Sequence, residues 1–231
     1  MVLPRFFEDN LPDIHKFILS EQSSKHVVQV LRMKESDRLL VTNGKGRILN
    51  AEIIVADKRK TEVQILHEEF ITQLPGKTTI AISLIKNTSR FEWFIEKATE
   101  IGVSAIIPLI CKRTEKTQFK FERIQSILIS AMLQSNQAWL PDLSLPVKFE
   151  EVVKGNYTQK FIAHCLEEQK KSLPESIVNK DSSRIILIGP EGDFTEDEIQ
   201  KAIQQHYIPV TLGVNRLRTE TAGLVAAVLS M

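Results

Sequence analysis

Two stretches near the C-terminus decide how this chain reads: Ile185-Ile186-Leu187-Ile188-Gly189-Pro190-Glu191-Gly192-Asp193-Phe194-Thr195 and Val210-Thr211-Leu212-Gly213-Val214-Asn215-Arg216-Leu217-Arg218-Thr219-Glu220-Thr221-Ala222. Each is a short apolar run that breaks at a glycine and then enters a polar segment able to start a helix. That pattern is the strand–loop–helix unit of an α/β sheet. Ligands of such sheets bind outside the carboxyl ends of the strands. Glycine there lets bare backbone approach a ligand. One such loop reads equally well as an ordinary turn. Two of them predict a small-molecule pocket. Neither carries GxxxxGKS/T or GxGxxG, so the expected ligand is nucleoside-like and lacks a polyphosphate.

Working outward, strands alternate with helices from Thr78 onward. Strands are predicted over 78–85, 103–110, 160–166, 184–188 and 207–212. Ser89 with Glu92, and Thr195 with Glu198, read as capping boxes that open helices. Gly102 reads as the C-terminal cap of the first of these. Residues 121–139 read as a long helix stopped by Pro141, residues 173–178 as a short one, and the last helix starts near Thr219. Such alternation predicts a largely parallel sheet covered by helices on both faces. Pro75-Gly76 marks a boundary. Before it the chain reads as a small β-rich module, with a short helix capped at Ser23-Ser24 and carrying His26, Val27, Val30 and Leu31. The turn Asn43-Gly44-Lys45-Gly46 predicts a hairpin. The expected domains are 1–72 and 73–231.

Lys and Arg number 30 against 29 Asp and Glu, a formal charge of +1, which excludes polyanion binding by bulk charge. Basic runs at Lys58-Arg59-Lys60, Lys112-Arg113 with Lys116, and Lys120 with Arg123 matter for RNA only if they converge in space. Two cysteines, Cys111 and Cys165, provide no disulfide framework and no zinc spacing, and both read as buried apolar residues in a reducing compartment. No metal site is expected. His164 and Cys165 are neighbours at a strand end, where side chains point to opposite faces, so a Cys–His nucleophile is rejected. No GxSxG elbow occurs. Neither a signal peptide nor a membrane span is evident, and the chain reads as soluble and cytoplasmic.

The combination Gly189-Pro190-Glu191-Gly192, Leu212-Gly213 and Leu217-Arg218-Thr219-Glu220-Thr221-Ala222 resembles the signature of the bacterial 16S rRNA uridine-N3 methyltransferases, the RsmE family. Further matches occur in order at Arg5-Phe6-Phe7, at His26 with Val30-Leu31-Arg32, and from Glu92-Trp93 through Lys97 to Val103. The resemblance implies a C-terminal SPOUT-type α/β domain with a trefoil knot, and a small N-terminal PUA-like β-barrel domain that binds RNA. It implies S-adenosyl-L-methionine as methyl donor, 16S rRNA of the small ribosomal subunit as partner, and a homodimer with the knots at its interface.

Carried onto this sequence, the resemblance implies a cofactor site at His164, Leu166, Ile188, Gly189, Pro190, Gly192, Leu212, Gly213, Leu217, Arg218 and Thr221. RNA contacts fall at Arg5, Arg32, Lys86, Arg90 and Arg216. Uridine N3 must lose a proton, so a base or a stabiliser of the anion is needed. Arg218 is the expected phosphate or charge stabiliser; no single residue declares itself as the base, and Glu220 nearby is a secondary candidate for proton handling. Three departures stand out. Many members carry Gln-Ser-Gly-Arg at Gln134-Ser135-Asn136-Gln137, a glycine at Asp193, and Pro-Arg-Ile at Val214-Asn215-Arg216. A non-catalytic RNA-binding or ribosome-assembly module of the same fold, and a SPOUT enzyme acting on another RNA, are the competing readings.

Overall fold

The computed structural model describes residues 3–167 and 169–231. The chain divides into two compact units: residues up to Gln73 with Met132–Leu140, and Leu74–Ala131 with Pro141–Met231.

The first unit opens with β1 (Arg5–Phe7), β2 (Lys16–Ile18) and a short helix α1 (Glu21–Lys25) that runs on as a π-helical turn, His26–Val30. Then come β3 (Arg38–Thr42), β4 (Arg47–Val55) and β5 (Glu62–Phe70). They form a five-stranded sheet in the order β1-β3-β4-β5-β2, with β1 parallel to β3 and the other pairs antiparallel. Register shifts at Asn50/Ala51 and Ile53/Val55 bend β4. The predicted hairpin joins β3 to β4. The helix cap falls elsewhere than expected: Ser20, not Ser23 or Ser24, accepts the Ser23 amide. Ser24 is committed inward, donating to the Leu19 carbonyl and accepting the Thr61 amide. His26 packs edge-on against Phe6, with ring centroids 5.6 Å apart.

The second unit contains β6 (Thr78–Ser83), α2 (Thr88–Ile101), β7 (Ala105–Ile110), α3 (Phe121–Gln134), β8 (Asp142–Leu143), β9 (Val147–Lys148) and α4 (Phe149–Val152). It continues with β10 (Gln159–Ala163), β11 (Lys171–Ser172), α5 (Leu173–Ser176), β12 (Arg184–Ile188), α6 (Glu196–Gln204), β13 (Ile208–Thr211) and α7 (Thr219–Leu229). The last residues of α3, from Met132, count with the first unit. The helix ends five residues before the predicted stop at Trp139. Asn136 takes a left-handed φ of 58°, and the Gln137 amide bonds back to the Met132 carbonyl. Ala138 and Leu140 then pair with Gly46 and Gly44, so residues 138–140 belong to the hairpin rather than to a helix. The α2 cap is also shifted: Asn87 accepts the Arg90 amide, which places Ser89 inside the first turn. Gly102 caps α2 with φ 99°, as expected.

The eight-stranded sheet runs β11-β13-β10-β12-β6-β7-β8, with β9 also on β7, and every pairing is parallel. Its two faces are both covered. Ala81, Ile185 and Leu187 pack with Phe149, Ile199 and Ala202 of α4 and α6. On the opposite face α7 lies on β6 and α2, close enough that a Cβ on Gly223 would stand 2.7 Å from Ile82 Cδ1 and Phe94 Cε2. The Thr195–Glu198 capping box of α6 forms as predicted.

Candidate functional site

Parallel register sets the site. Ala163, the last residue of β10, pairs with Ile188 of β12 on one side and Val210 of β13 on the other. The three loops that leave this row therefore open side by side. Because β10 stops at Ala163, His164 and Cys165 lie in a loop and not on a strand, which corrects the sequence reading. Cys111 is buried but Cys165 is exposed, so the expectation of two buried cysteines holds only for the first. Burial pushes the Cys111 thiol up to about 12. Desolvation, then the Asp193 carboxylate, also raises the Cys165 thiol, against a thiolate nucleophile there.

Two adjoining cavities, about 380 and 400 Å³, share Ala163, Cys165, Arg216, Leu217 and Ala222. Small-molecule sites typically span about 300–1,000 Å³. His164, Leu212 and Gly213 line the first. Ile188, Gly189, Pro190, Arg90, Arg218 and Glu220 line the second. Gly213 has φ +143° with open space around a would-be Cβ, so it is the backbone conformation that calls for glycine. A Cβ on Gly189 would come within 3.1 Å of the Phe194 amide nitrogen and ring.

Glu220, 7% exposed, sits in the first turn of α7, where the helix dipole favours an anion. Its carboxylate is 3.7 Å from Arg90 Nε. Arg218 is the N-cap residue of α7, exposed, and forms no ion pair among the described residues. No side-chain hydroxyl caps this helix.

Other expected site residues do not line the cavities. Leu166 gives its carbonyl to Lys170 Nζ at 2.7 Å. Gly192 gives its carbonyl to Arg113 Nη1 at 2.6 Å. Thr221 adjoins the lining residues Glu220 and Ala222. Lys86 pairs with Glu115 at 3.2 Å, and its amide donates to Glu191 at 3.1 Å. Within the first unit, Arg5 donates to the Gln137 carbonyl at 2.9 Å, and burial pushes its pKa down. Arg32 is exposed with φ 54°.

Three residues outside the expected catalytic, cofactor and RNA sets also shape the site. Asp193 takes a left-handed φ of 65°, and its carboxylate accepts the Cys165 and Phe194 amides, each at 2.8 Å. Lys170 Nζ bonds the His164 and Leu166 carbonyls at 2.7 Å. Arg113 braces Gly192 from outside the cavity. Asn136 and Asp193, both of which replace an expected glycine, adopt positive φ, which Asn and Asp tolerate better than most residues.

A family profile described as an RNA methyltransferase domain matches residues 72–231, and one described as an RNA methyltransferase PUA domain matches 19–66. The ribosomal RNA small subunit methyltransferase E of Buchnera aphidicola is 31% identical, over 97% of this chain and 91% of that protein. The chain belongs to the ribosomal RNA small subunit methyltransferase E family. A probable rRNA-methyltransferase from Porphyromonas gingivalis superposes with a TM-score of 0.90 at 34% identity, covering 97% of this chain and 95% of the other. A ribosomal RNA small subunit methyltransferase E from Neisseria gonorrhoeae, bound to S-adenosyl methionine, superposes at 0.87 with 30% identity, covering 98% and 95%. As in that family, a SPOUT-type α/β domain follows a PUA-like N-terminal domain.

Proposed function

We propose that this protein transfers the methyl group of S-adenosyl-L-methionine to N3 of a uridine in the 16S rRNA of the small ribosomal subunit. The observation that carries the reading is the convergence of three strand-end loops on one cleft with no phosphate-cradling motif. The residues fit the cofactor. Backbone at Ile188 to Pro190 and at Leu212-Gly213 offers neutral donors and acceptors suited to a nucleoside, and Leu217 supplies apolar surface. His164, Leu166, Gly192, Arg218 and Thr221 complete the proposed binding set, and we take the loops to be gathered by the family's trefoil knot. No group of residues suited to holding a metal occurs among the described residues.

The cofactor supplies an electrophilic methyl; the chain supplies alignment, exclusion of water and charge control. In this reading Arg218 faces the anionic RNA and the charge that develops on the uracil ring. Glu220, held by Arg90, takes part in removing the N3 proton. Arg5, Arg32, Lys86, Arg90 and Arg216 are the proposed RNA contacts; the PUA-like domain, residues 1–72 in this reading, is the proposed RNA-binding module, and residues 73–231 the proposed catalytic domain. No helix is long and apolar enough to cross a membrane; a cytoplasmic location is part of the proposal.

Calorimetry with S-adenosylmethionine, and mass spectrometry of small-subunit rRNA with and without the gene, test the activity. Micromolar binding and loss of one methyluridine are expected. No binding, or a methyl mark that survives deletion, refutes it.

A homodimer is also proposed. Apolar side chains remain uncovered on α7, just after it and on α2: Val228 is 55% exposed, Met231 48% and Trp93 42%. Val228→Asp is expected to convert the dimer to monomer in light scattering. A wild-type monomer, or an undiminished dimer in the variant, overturns the assignment.

A further inference from the structure

The cleft is walled by loops whose backbone groups are held by charged side chains. The loop after β10 has its amide at Cys165 taken by Asp193, and its carbonyls at His164 and Leu166 taken by Lys170. The loop after β12 is tied to Asp193 through the Phe194 amide and to Arg113 through the carbonyls of Gly192 and Phe194. The Asp193 side chain joins the two loops. It lies 28 positions from Cys165 and lines the second cavity, as Cys165 does. A carboxylate that accepts two amides makes charge-assisted bonds, which are shorter and stronger than neutral ones.

We propose that Asp193 is a positioning residue of the cofactor cleft: its carboxylate locks the loop after β10 to the loop after β12, so that two of the walls are set before the ligand arrives. The inference rests on reading the cleft as the S-adenosylmethionine site. The left-handed backbone at Asp193 makes the side chain separable from the fold. Glycine and asparagine both accept that conformation. Asp193→Gly therefore deletes the lock without adding strain. Asp193→Asn keeps a carbonyl acceptor for one amide.

Three measurements decide it: amide hydrogen exchange at Cys165 in the ligand-free protein, calorimetric Kd for S-adenosylmethionine, and the split between KM and kcat. In Asp193→Gly, exchange at Cys165 is expected to speed up, Kd and KM for the cofactor to rise about tenfold, and kcat to fall far less, because preorganisation is what is lost. Asp193→Asn is expected to recover most of both effects. A glycine variant with wild-type Kd overturns the proposal, whether or not exchange at Cys165 changes. So does equal weakening in the asparagine and glycine variants. A wild-type protein that binds no S-adenosylmethionine overturns the reading of the cleft and this inference with it.

Discussion

Arg218→Ala is expected to lower rRNA methylation by about 10²–10³-fold, with a much smaller change in S-adenosylmethionine affinity; the loss of one preorganised charge stabiliser has this size. The geometry supports the split. The backbone of Arg218 forms the N-cap position of α7 and no side-chain bond is involved, so alanine leaves the helix start in place. The guanidinium is exposed at the rim of the second cavity and has no carboxylate partner among the described residues. By contrast the nearby Arg90 is engaged with Glu220. Arg218→Lys should recover part of the rate, because the charge returns without the planar fork that binds phosphate bidentately. Single-turnover assays on small subunits at saturating cofactor measure the effect. A wild-type rate in Arg218→Ala removes this residue from the mechanism.

The second large effect falls on stability. Arg184→Met is expected to cost about 3 kcal/mol, because it leaves a buried carbonyl without its donor and breaks a buried, hydrogen-bonded cation out of its site. Arg184 is 2% exposed at the start of β12. Its guanidinium donates to the carbonyls of Ser230, Lys180 and Ser182, and Ser230 is itself buried. Burial pushes the Arg184 pKa down, yet a guanidinium keeps its proton at any physiological pH. The residue thus fastens the end of α7 to the strand whose other end feeds the site. For a domain of this size, about 3 kcal/mol corresponds to a fall of roughly 6–12 °C in Tm. Thermal and urea unfolding followed by circular dichroism check it; a loss under about 1 kcal/mol contradicts the clamp.

The features legible in the sequence are those written in local pattern. The two glycine loops, the Thr195–Glu198 capping box, the hairpin at Asn43–Gly46 and the start of α7 each need only a few adjacent residues to declare themselves. Helix caps were misplaced where several candidates crowd together. Asn87 lies two residues from Ser89, and only backbone conformation chooses between them. Ser24 has the chemistry of a cap but is drawn inward by Thr61, 37 residues away. The overlong reading of α3 failed because the apolar pattern continues through Trp139, whereas the chain turns left-handed at Asn136 to reach the hairpin glycines. Within the site, the Arg90–Glu220 pair and the roles of Asp193 and Lys170 depend on contacts that no local pattern encodes. Asp193 was visible only as a departure from glycine, and Lys170 not at all.

The order of pairing in the parallel sheet has a consequence for biosynthesis. β6 carries TTIAIS, wholly buried, and joins β7 soon after it is made, but its other neighbour is β12, which starts 106 residues later, at Arg184 against Thr78. At the usual elongation rate of about 5–20 residues per second, that edge waits roughly 5–20 s for its partner. Through the interval the nascent chain presents an unpaired apolar strand edge, the kind that templates association with another chain. Folding of this unit is therefore completed only near the end of translation, and crowded polysomes or slow codons after β7 lengthen the exposure.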